Sequence, residues 1–149
     1  MMLDLDSILK EWDTDCEISE FELDKTSRHT PKLHAKYLQY LSLTKLNLER
    51  AENDQLVLLK EKWLYYNGKM DQQTIESKGW DYDPFDGLKV LKGDMDHYYN
   101  ADPEIQKSKQ KIAYLKTIID TLKEILDNLK WRHSTIKNMI EWRRYQAGG

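Results

Sequence analysis

From Pro31 to Tyr66 the chain has no glycine and, after Pro31 itself, no proline, and a second run of the same kind extends from Pro103 to Tyr145. Uninterrupted helices over those runs would be roughly 54 and 64 Å long at 1.5 Å per residue. With six glycines and three prolines in 149 residues, the chain lacks the frequent turns of a sandwich or barrel. An all-α fold is expected, built from two long helices packed antiparallel. The second run carries a seam in alternating steps of three and four: Ile105, Ser108, Ile112, Leu115, Ile119, Leu122, Leu126, Leu129, His133, Ile136, Ile140 and Arg143. That is a heptad pattern. Ile118, Ile125 and Met139 flank it as a further stripe, so the apolar face is wider than one partner helix covers. Two helices this long cannot form a compact core from so short a chain. Self-assembly is therefore expected, with Ile112, Leu115, Ile119, Leu122, Leu126, Leu129, Ile136 and Ile140 as its seam.

Local signals divide the rest. Leu5, Ile8, Leu9 and Trp12 recur at helical spacing, predicting a short helix from Leu3 to about Asp13 capped by Asp4 or Asp6. Residues 19–29 are polar and ambiguous. Thr30-Pro31 reads as a helix start, since Thr caps well and Pro is tolerated at the first helical position. Asn67-Gly68 reads as the stop. Residues 70–102 form an acidic, aromatic-rich connection with short helical turns at Asp71–Ser77 and Asp94–Tyr99, and Asp102-Pro103 opens the last helix. The expectation is one helical, oligomerising domain over residues 1–149. Its parts are an acidic helix and linker (1–30), a helix with a basic-aromatic end (31–69), the connection (70–102) and the heptad helix (103–149).

Charge alternates along these segments. Residues 1–30 carry net −6, residues 31–69 net +3, residues 70–106 net −6 and residues 107–149 net +6, which together give the overall −3. A basic surface is compatible with that balance, and so is simple pairing of basic helices with acidic segments. The N-terminus is neither a signal nor a transit peptide, and no run approaches the ~18 apolar residues of a membrane span. Cys16 is the one cysteine, which excludes an internal disulfide and suits a reducing compartment.

The usual chemical motifs fail. Gly68-Lys69 lacks the earlier glycine and the following Ser or Thr of a phosphate loop: positions 63 and 70 are Trp and Met,. The stretch from Asp81 to Gly87 misplaces the calcium-loop glycine and ends on Lys92 where glutamate is required. No two of His29, His34, His97 and His133 stand four apart for zinc,. No metal, cofactor or catalytic group is expected.

One stretch remains, LKEKWLYYNGK at residues 59–69. Leu59, Trp63 and Tyr66 share one helical face, suited to pack inward, while Lys62, Tyr65 and Lys69 share another. Lys60 points more than half a turn away from Lys62. Cations at a helix C-terminus are favoured by the macrodipole, about 0.3–1 kcal/mol each, which is the plain reading. The functional reading is that Lys60, Lys62 and Lys69 neutralise phosphates while Tyr65 or Trp63 stacks on unpaired bases, as single-stranded nucleic acid rewards.

Four segments, in order, make the chain similar to the UvsY family, the recombination mediators of T-even-type bacteriophages: TPKLHAKYLQYL (30–41), LLKEKWLYYNGK (58–69), GWDYDPF (79–85) with LKVLKGDMD (88–96), and IKNMIEWRRYQAGG (136–149). The resemblance implies a small, nearly all-helical protein that assembles into a closed homo-oligomeric ring and binds single-stranded DNA. It implies partners as well: a RecA-like phage recombinase, and the phage single-strand binding protein that it helps the recombinase replace. The setting would be the cytoplasm of the infected bacterial host. The family's DNA-binding motif has two basic residues one position apart before a Tyr-Tyr pair. Lys60 and Lys62, before Tyr65 and Tyr66, match it, with Lys62 where the family can carry Arg. Residues 136–149 match the segment associated with assembly. Apart from the resemblance, Lys130, Arg132, Lys137, Arg143 and Arg144 are candidates to extend the basic surface, the plain reading being solvation or pairing between subunits. The alternative from the heptads alone is a coiled-coil structural or adaptor protein that binds no DNA.

Overall fold

The computed structural model describes residues 3–148, and among them every regular element is helical. In chain order these are α1 (Leu5–Asp15), α2 (Leu23–Tyr66), α3 (Gln72–Lys78), a 3-10 turn at Lys92–Asp94, α4 (Met95–Ala101) and α5 (Pro103–Gln146). The packing divides the chain into two compact units, one made of the residues up to 48 with those from 114 onward, the other of residues 49–113.

The first unit is held by a core of Ile8, Leu33, Tyr37, Leu41, Ile118, Ile119, Leu122, Ile125 and Leu129. Here α2 and α5 run antiparallel: Leu23 and Asp24 line one hollow with Ile140, Arg143 and Arg144, while the later His34 lines another with Lys123 to Lys130. α1 begins two residues after the expected start, because Asp4 accepts the Asp6 amide as its cap. The Tyr114 hydroxyl accepts the Leu5 amide at 2.9 Å and donates to Asp4 at 3.1 Å, pinning that end. Trp12 meets Tyr37 edge-on at 5.5 Å. At the other end of α1, Asp15 takes a 2.6 Å bond from Lys36 and a 2.8 Å bond from the Tyr37 hydroxyl.

The start of α2 corrects the sequence reading. The helix begins at Leu23, and Pro31 lies inside it. Pro31 forfeits one amide bond to the Ser27 carbonyl, yet the packed stripe Leu23, Thr26, Thr30, Leu33, Tyr37 passes straight through it in steps of three and four. Burial of Leu23 ahead of the proline outweighs the local break,. Thr30, read as a cap, donates its hydroxyl to the Thr26 carbonyl within the helix.

The heptad seam is corrected in its last third. His133, Ile140 and Arg143 are exposed; Ile136 keeps its inward place, and the others pass to Arg132 and the half-buried Met139. The partner sets the inward side here: Arg132 reaches the carbonyls of Asp15 and Glu17, and the Ile118, Ile125 stripe continues inward at Arg132 and Met139. Of the eight residues expected to mediate assembly, Ile112, Leu115, Ile119, Leu122, Leu129 and Ile136 are buried within the chain itself, Leu126 is half-buried and Ile140 is exposed.

Arg132 replaces the expected basic-surface role with a buried one. It is 5% exposed and donates, at 3.0 Å each, to the carbonyls of Asp15 at the end of α1 and Glu17 in the α1–α2 connection. Burial pulls its pKa below the ordinary guanidinium value, with Cys16 and Asp15 opposing.

In the second unit α2 and α5 are again antiparallel, with Ala51, Asp54 and Leu58 sharing a hollow with Glu104, Lys107, Ser108 and Lys111. α2 stops as read: the Gly68 amide bonds the Tyr65 carbonyl and the Lys69 amide bonds Leu64, with Gly68 at φ 68°, a paired geometry that uses glycine's left-handed freedom. Asp71 caps α3. Asp102 caps α5, accepting the Glu104 and Ile105 amides at 2.9 and 3.1 Å. The acidic turn before Gly87 is internally satisfied, since Asp83 accepts the amides of Phe85 and Gly87.

Candidate nucleic-acid interface

The basic-aromatic end of α2 lies within the second unit, and its two sides do different work. The inward side is the one carrying Lys62 and Tyr65, which are 3% and 6% exposed; Trp63, expected inside, is 45% exposed. Leu59 and Tyr66 are half-buried, and Lys60 and Lys69 are exposed. The expected assignment of faces is thus largely reversed. The reason is tertiary: the connection lays a carboxylate and an indole against Lys62 that helical spacing alone does not reveal.

Lys62 Nζ sits 3.0 Å from Asp102 Oδ2 and 3.5 Å from Glu104 Oε1. It lies 3.8 Å from the centre of the Trp80 ring and 5.6 Å from that of Tyr65, a cation–π arrangement that gains strength when desolvated. Trp80 Nε1 donates to the same Glu104 oxygen. The Tyr66 hydroxyl donates to Asp102 Oδ2 at 2.7 Å. Burial works to raise the Asp102 pKa, but the Tyr66 hydroxyl, the Lys62 ammonium and the Ile105 amide overcome it, and the carboxyl is held below its ordinary value. Tyr66 is pushed well above the ordinary phenol value by burial first, then by the bond to Asp102 and its charge.

The two tyrosines form the hub of the connection. Tyr66 meets Phe85, Tyr98 and Tyr99 at 5.9, 6.4 and 5.4 Å, and Tyr65 meets Trp80 at 5.0 Å. The Tyr65 hydroxyl donates to the Asp81 carbonyl. Burial raises the Tyr65 pKa, with Asp81, Asp102 and Asp83 adding to it.

On the outer side, Lys69 Nζ stands 4.6 Å over the Trp63 ring. Lys60 and Trp63, three apart, are neighbours along the exposed helix surface, and the exposed Leu56 and Val57 continue that stripe. Asn67 ties the helix end to the connection, donating to the Trp63 carbonyl at 2.7 Å and the Tyr99 hydroxyl at 3.1 Å. Glu61, between the two lysines in sequence, is engaged by Lys78 at 3.0 Å, so its charge is compensated away from the outer face. The arrangement offers two exposed cations and a partly exposed indole on a stiff support.

The sequence reading missed Trp80, Glu104 and Lys78, and saw Asp102 only as a cap. Asp102 is 40 positions from Lys62 along the chain, beyond any helical template. In the first unit, Lys130, Lys137 and Arg144 are exposed, and Arg143 donates to the Glu20 carbonyl. Among the described residues no group of three His, Cys, Asp or Glu side chains is placed to hold a metal ion, and no helix is long and apolar enough to cross a membrane.

Comparison with known proteins concerns the chain as a whole. Residues 11–149 match the family model described as recombination, repair and ssDNA binding protein UvsY. The recombination protein uvsY of Enterobacteria phage T4 is 26% identical over 144 residues, covering 97% of this chain and 98% of that protein. A crystal structure of the bacteriophage T4 recombination mediator protein UvsY superposes with a TM-score of 0.79 at 24% identity, covering 98% of this chain and 99% of that one. The same phage protein in another lattice gives 0.78 at 24% identity, covering 94% and 98%. At these identities the structural likeness establishes a shared helical fold.

Proposed function

Because the chain belongs to the UvsY family of recombination, repair and single-stranded-DNA-binding proteins, we propose that it is a recombination mediator with no catalytic step of its own. It binds single-stranded DNA and helps a RecA-like phage recombinase load onto DNA covered by single-strand binding protein, in the cytoplasm of the infected host. The observation that carries the reading is the outer face of α2, where Lys60, Trp63 and Lys69 stand exposed with the Lys69 ammonium over the Trp63 ring. Two point charges suit phosphates, and a ring edge and face suit an unpaired base. Lys62, Tyr65 and Tyr66, the other members of the sequence-derived set, back this face from within.

Two cations per chain bind DNA weakly. A closed homo-oligomeric ring repeats the patch along one strand and raises its effective concentration. The exposed Trp131, Ile140, Trp142 and Tyr145 on α5 offer apolar surface for such assembly, the buried seam residues having met their partners within the chain. The work of loading is differential binding: the strand path on the ring suits the recombinase filament better than the binding protein.

Anisotropy of labelled oligo-dT across a salt series tests the site, with sedimentation confirming assembly. Each neutralised phosphate contributes a slope of about −0.7 on single strands. Lys60→Ala and Lys69→Ala should each flatten the dependence by that amount per subunit. Trp63→Ala should cost about 1–3 kcal/mol per stacked base at unchanged slope. Undiminished affinity in the assembled Lys60→Ala, Lys69→Ala double variant would overturn the assignment.

A further inference from the structure

The lysine next in the motif, Lys62, is not on the face that meets solvent. Its side chain is 4% exposed and the Asp102 side chain 2%, with 3.0 Å between their charged atoms. The Lys62 ammonium is enclosed by Asp102 at the cap of α5, Glu104 in its first turn, and the rings of Trp80 and Tyr65. A phosphate could reach it only by displacing two carboxylates, and would then leave Asp102 buried without its cation. Desolvated charges that lose one partner are strongly disfavoured.

We propose that Lys62 is a positioning residue that makes no phosphate contact, and that with Asp102, Tyr66 and Trp80 it forms an internal latch fixing the DNA-binding outer face of α2. This rests on the assignment of that face to DNA.

The latch works through shared atoms. Asp102 uses Oδ1 to cap α5 through the Glu104 and Ile105 amides, and Oδ2 to receive both Lys62 and the Tyr66 hydroxyl. One carboxylate thereby joins the last turn of α2 to the first turn of α5. Glu104 receives both Lys62 and the Trp80 indole, which brings the connection into the same knot. Lys60, Trp63 and Lys69 occupy the outer surface of this turn and the residues just after it. Their relative placement, including Lys69 over Trp63, depends on the turn being rigid. Two basic residues one position apart on a helix face nearly opposite ways, so a motif of that form joins an outer cation to an inner one.

The test separates a contact from a support. Lys62→Met alone strands the Asp102 carboxylate; it should lower the melting temperature and weaken oligo-dT binding. Lys62→Met with Asp102→Asn removes both charges, while the Asn oxygen still caps α5, its side-chain NH2 donates to the Tyr66 hydroxyl oxygen, and Met replaces the lysine stem. The double variant should regain both properties, with the wild-type slope of affinity against salt. A double variant that assembles but loses about 0.7 per subunit in that slope overturns the proposal, because a phosphate contact has then been removed. Lys60→Ala runs alongside. If it too leaves the slope unchanged, the DNA assignment of the face has failed, and the latch is judged by the second measurement. That measurement needs no variant: reductive methylation of the wild-type assembly, read by mass spectrometry. Lys60 and Lys69 should label in free protein and be protected by oligo-dT, with Lys62 unlabelled in both. Labelling of Lys62 in free protein that DNA suppresses overturns the proposal.

Discussion

Arg132 provides the sharpest separation between two roles a buried cation can have. The residue is 5% exposed, and among the described residues no carboxylate is at bonding distance; its guanidinium bridges two backbone carbonyls, of Asp15 and Glu17, at 3.0 Å each. Its Nε has no hydrogen-bond partner among the described residues. Hydrogen bonds from a charged donor contribute about 1.5–3 kcal/mol apiece, so the fork gains about 3–6 kcal/mol. Against that stands the desolvation of a guanidinium that cannot shed its proton, several kcal/mol. The two nearly cancel, and the net effect of Arg132 is to decide where residues 16–22 lie.

Two substitutions expose the difference. Arg132→Met keeps an unbranched stem beside Leu129 and Ile136 and removes the charge, so global stability should change by less than about 1 kcal/mol. Arg132→Ala also empties the space of the stem and should cost about 2–4 kcal/mol. At about 2–4 °C per kcal/mol for a chain of this size, melting followed by circular dichroism at fixed protein concentration should fall by about 4–16 °C for Ala and by under about 4 °C for Met. Both variants should be cut faster than wild type by a glutamate-specific protease at Glu17, Glu20 and Glu22, where Arg143 on the Glu20 carbonyl is the tether left. A Met variant that melts as low as the Ala variant, or that keeps wild-type resistance to cleavage, refutes the reasoning.

Pro31→Ala restores an amide for the Ser27 carbonyl at an exposed position inside α2; with interior proline costing about 3 kcal/mol, melting temperature should rise, and a fall would show that the ring itself packs usefully. Asp15 has a depressed carboxyl pKa, burial raising it but the bonds from Lys36 and Tyr37 and the nearby charges lowering it further, while Lys36 is raised by Asp15 and Glu11 against burial. The Asp15 contribution is present above the unfolded value near 3.8 and lost as pH falls through the lower folded value; that of Lys36 is present below 10.5 and lost as pH rises through its higher one,. The melting difference between wild type and Asp15→Asn should therefore be flat from about pH 5 to 9 and shrink in acid; a difference that already declines between pH 7 and 5 would contradict it.

What could be read ahead of the structure was whatever depends on neighbours within a few residues. Asp102-Pro103 opens α5 and Asn67-Gly68 closes α2 because capping is settled by groups one to five positions apart. The failures all occur where a distant partner overrules a local preference. Pro31 marks a boundary by its own chemistry, and Leu23 cancels the boundary by finding a buried place eight residues earlier. His133 fits a repeat of 3.5, and Arg132 takes the inward place because the carbonyls of Asp15 and Glu17, 117 and 115 positions away, receive its guanidinium. Lys62 shows the same logic at the binding face. Lysine, glutamate and lysine in alternation read as solvated charge, and nothing within a turn of Lys62 supplies the acid and the indole that enclose it. Asp102, already committed as a cap, supplies the one, and Trp80 the other. A basic motif therefore cannot be converted into phosphate contacts by counting its cations. Each lysine has first to be asked which carboxylate faces it, and in this chain the answer divides Lys60, exposed on the outer face, from Lys62, paired within.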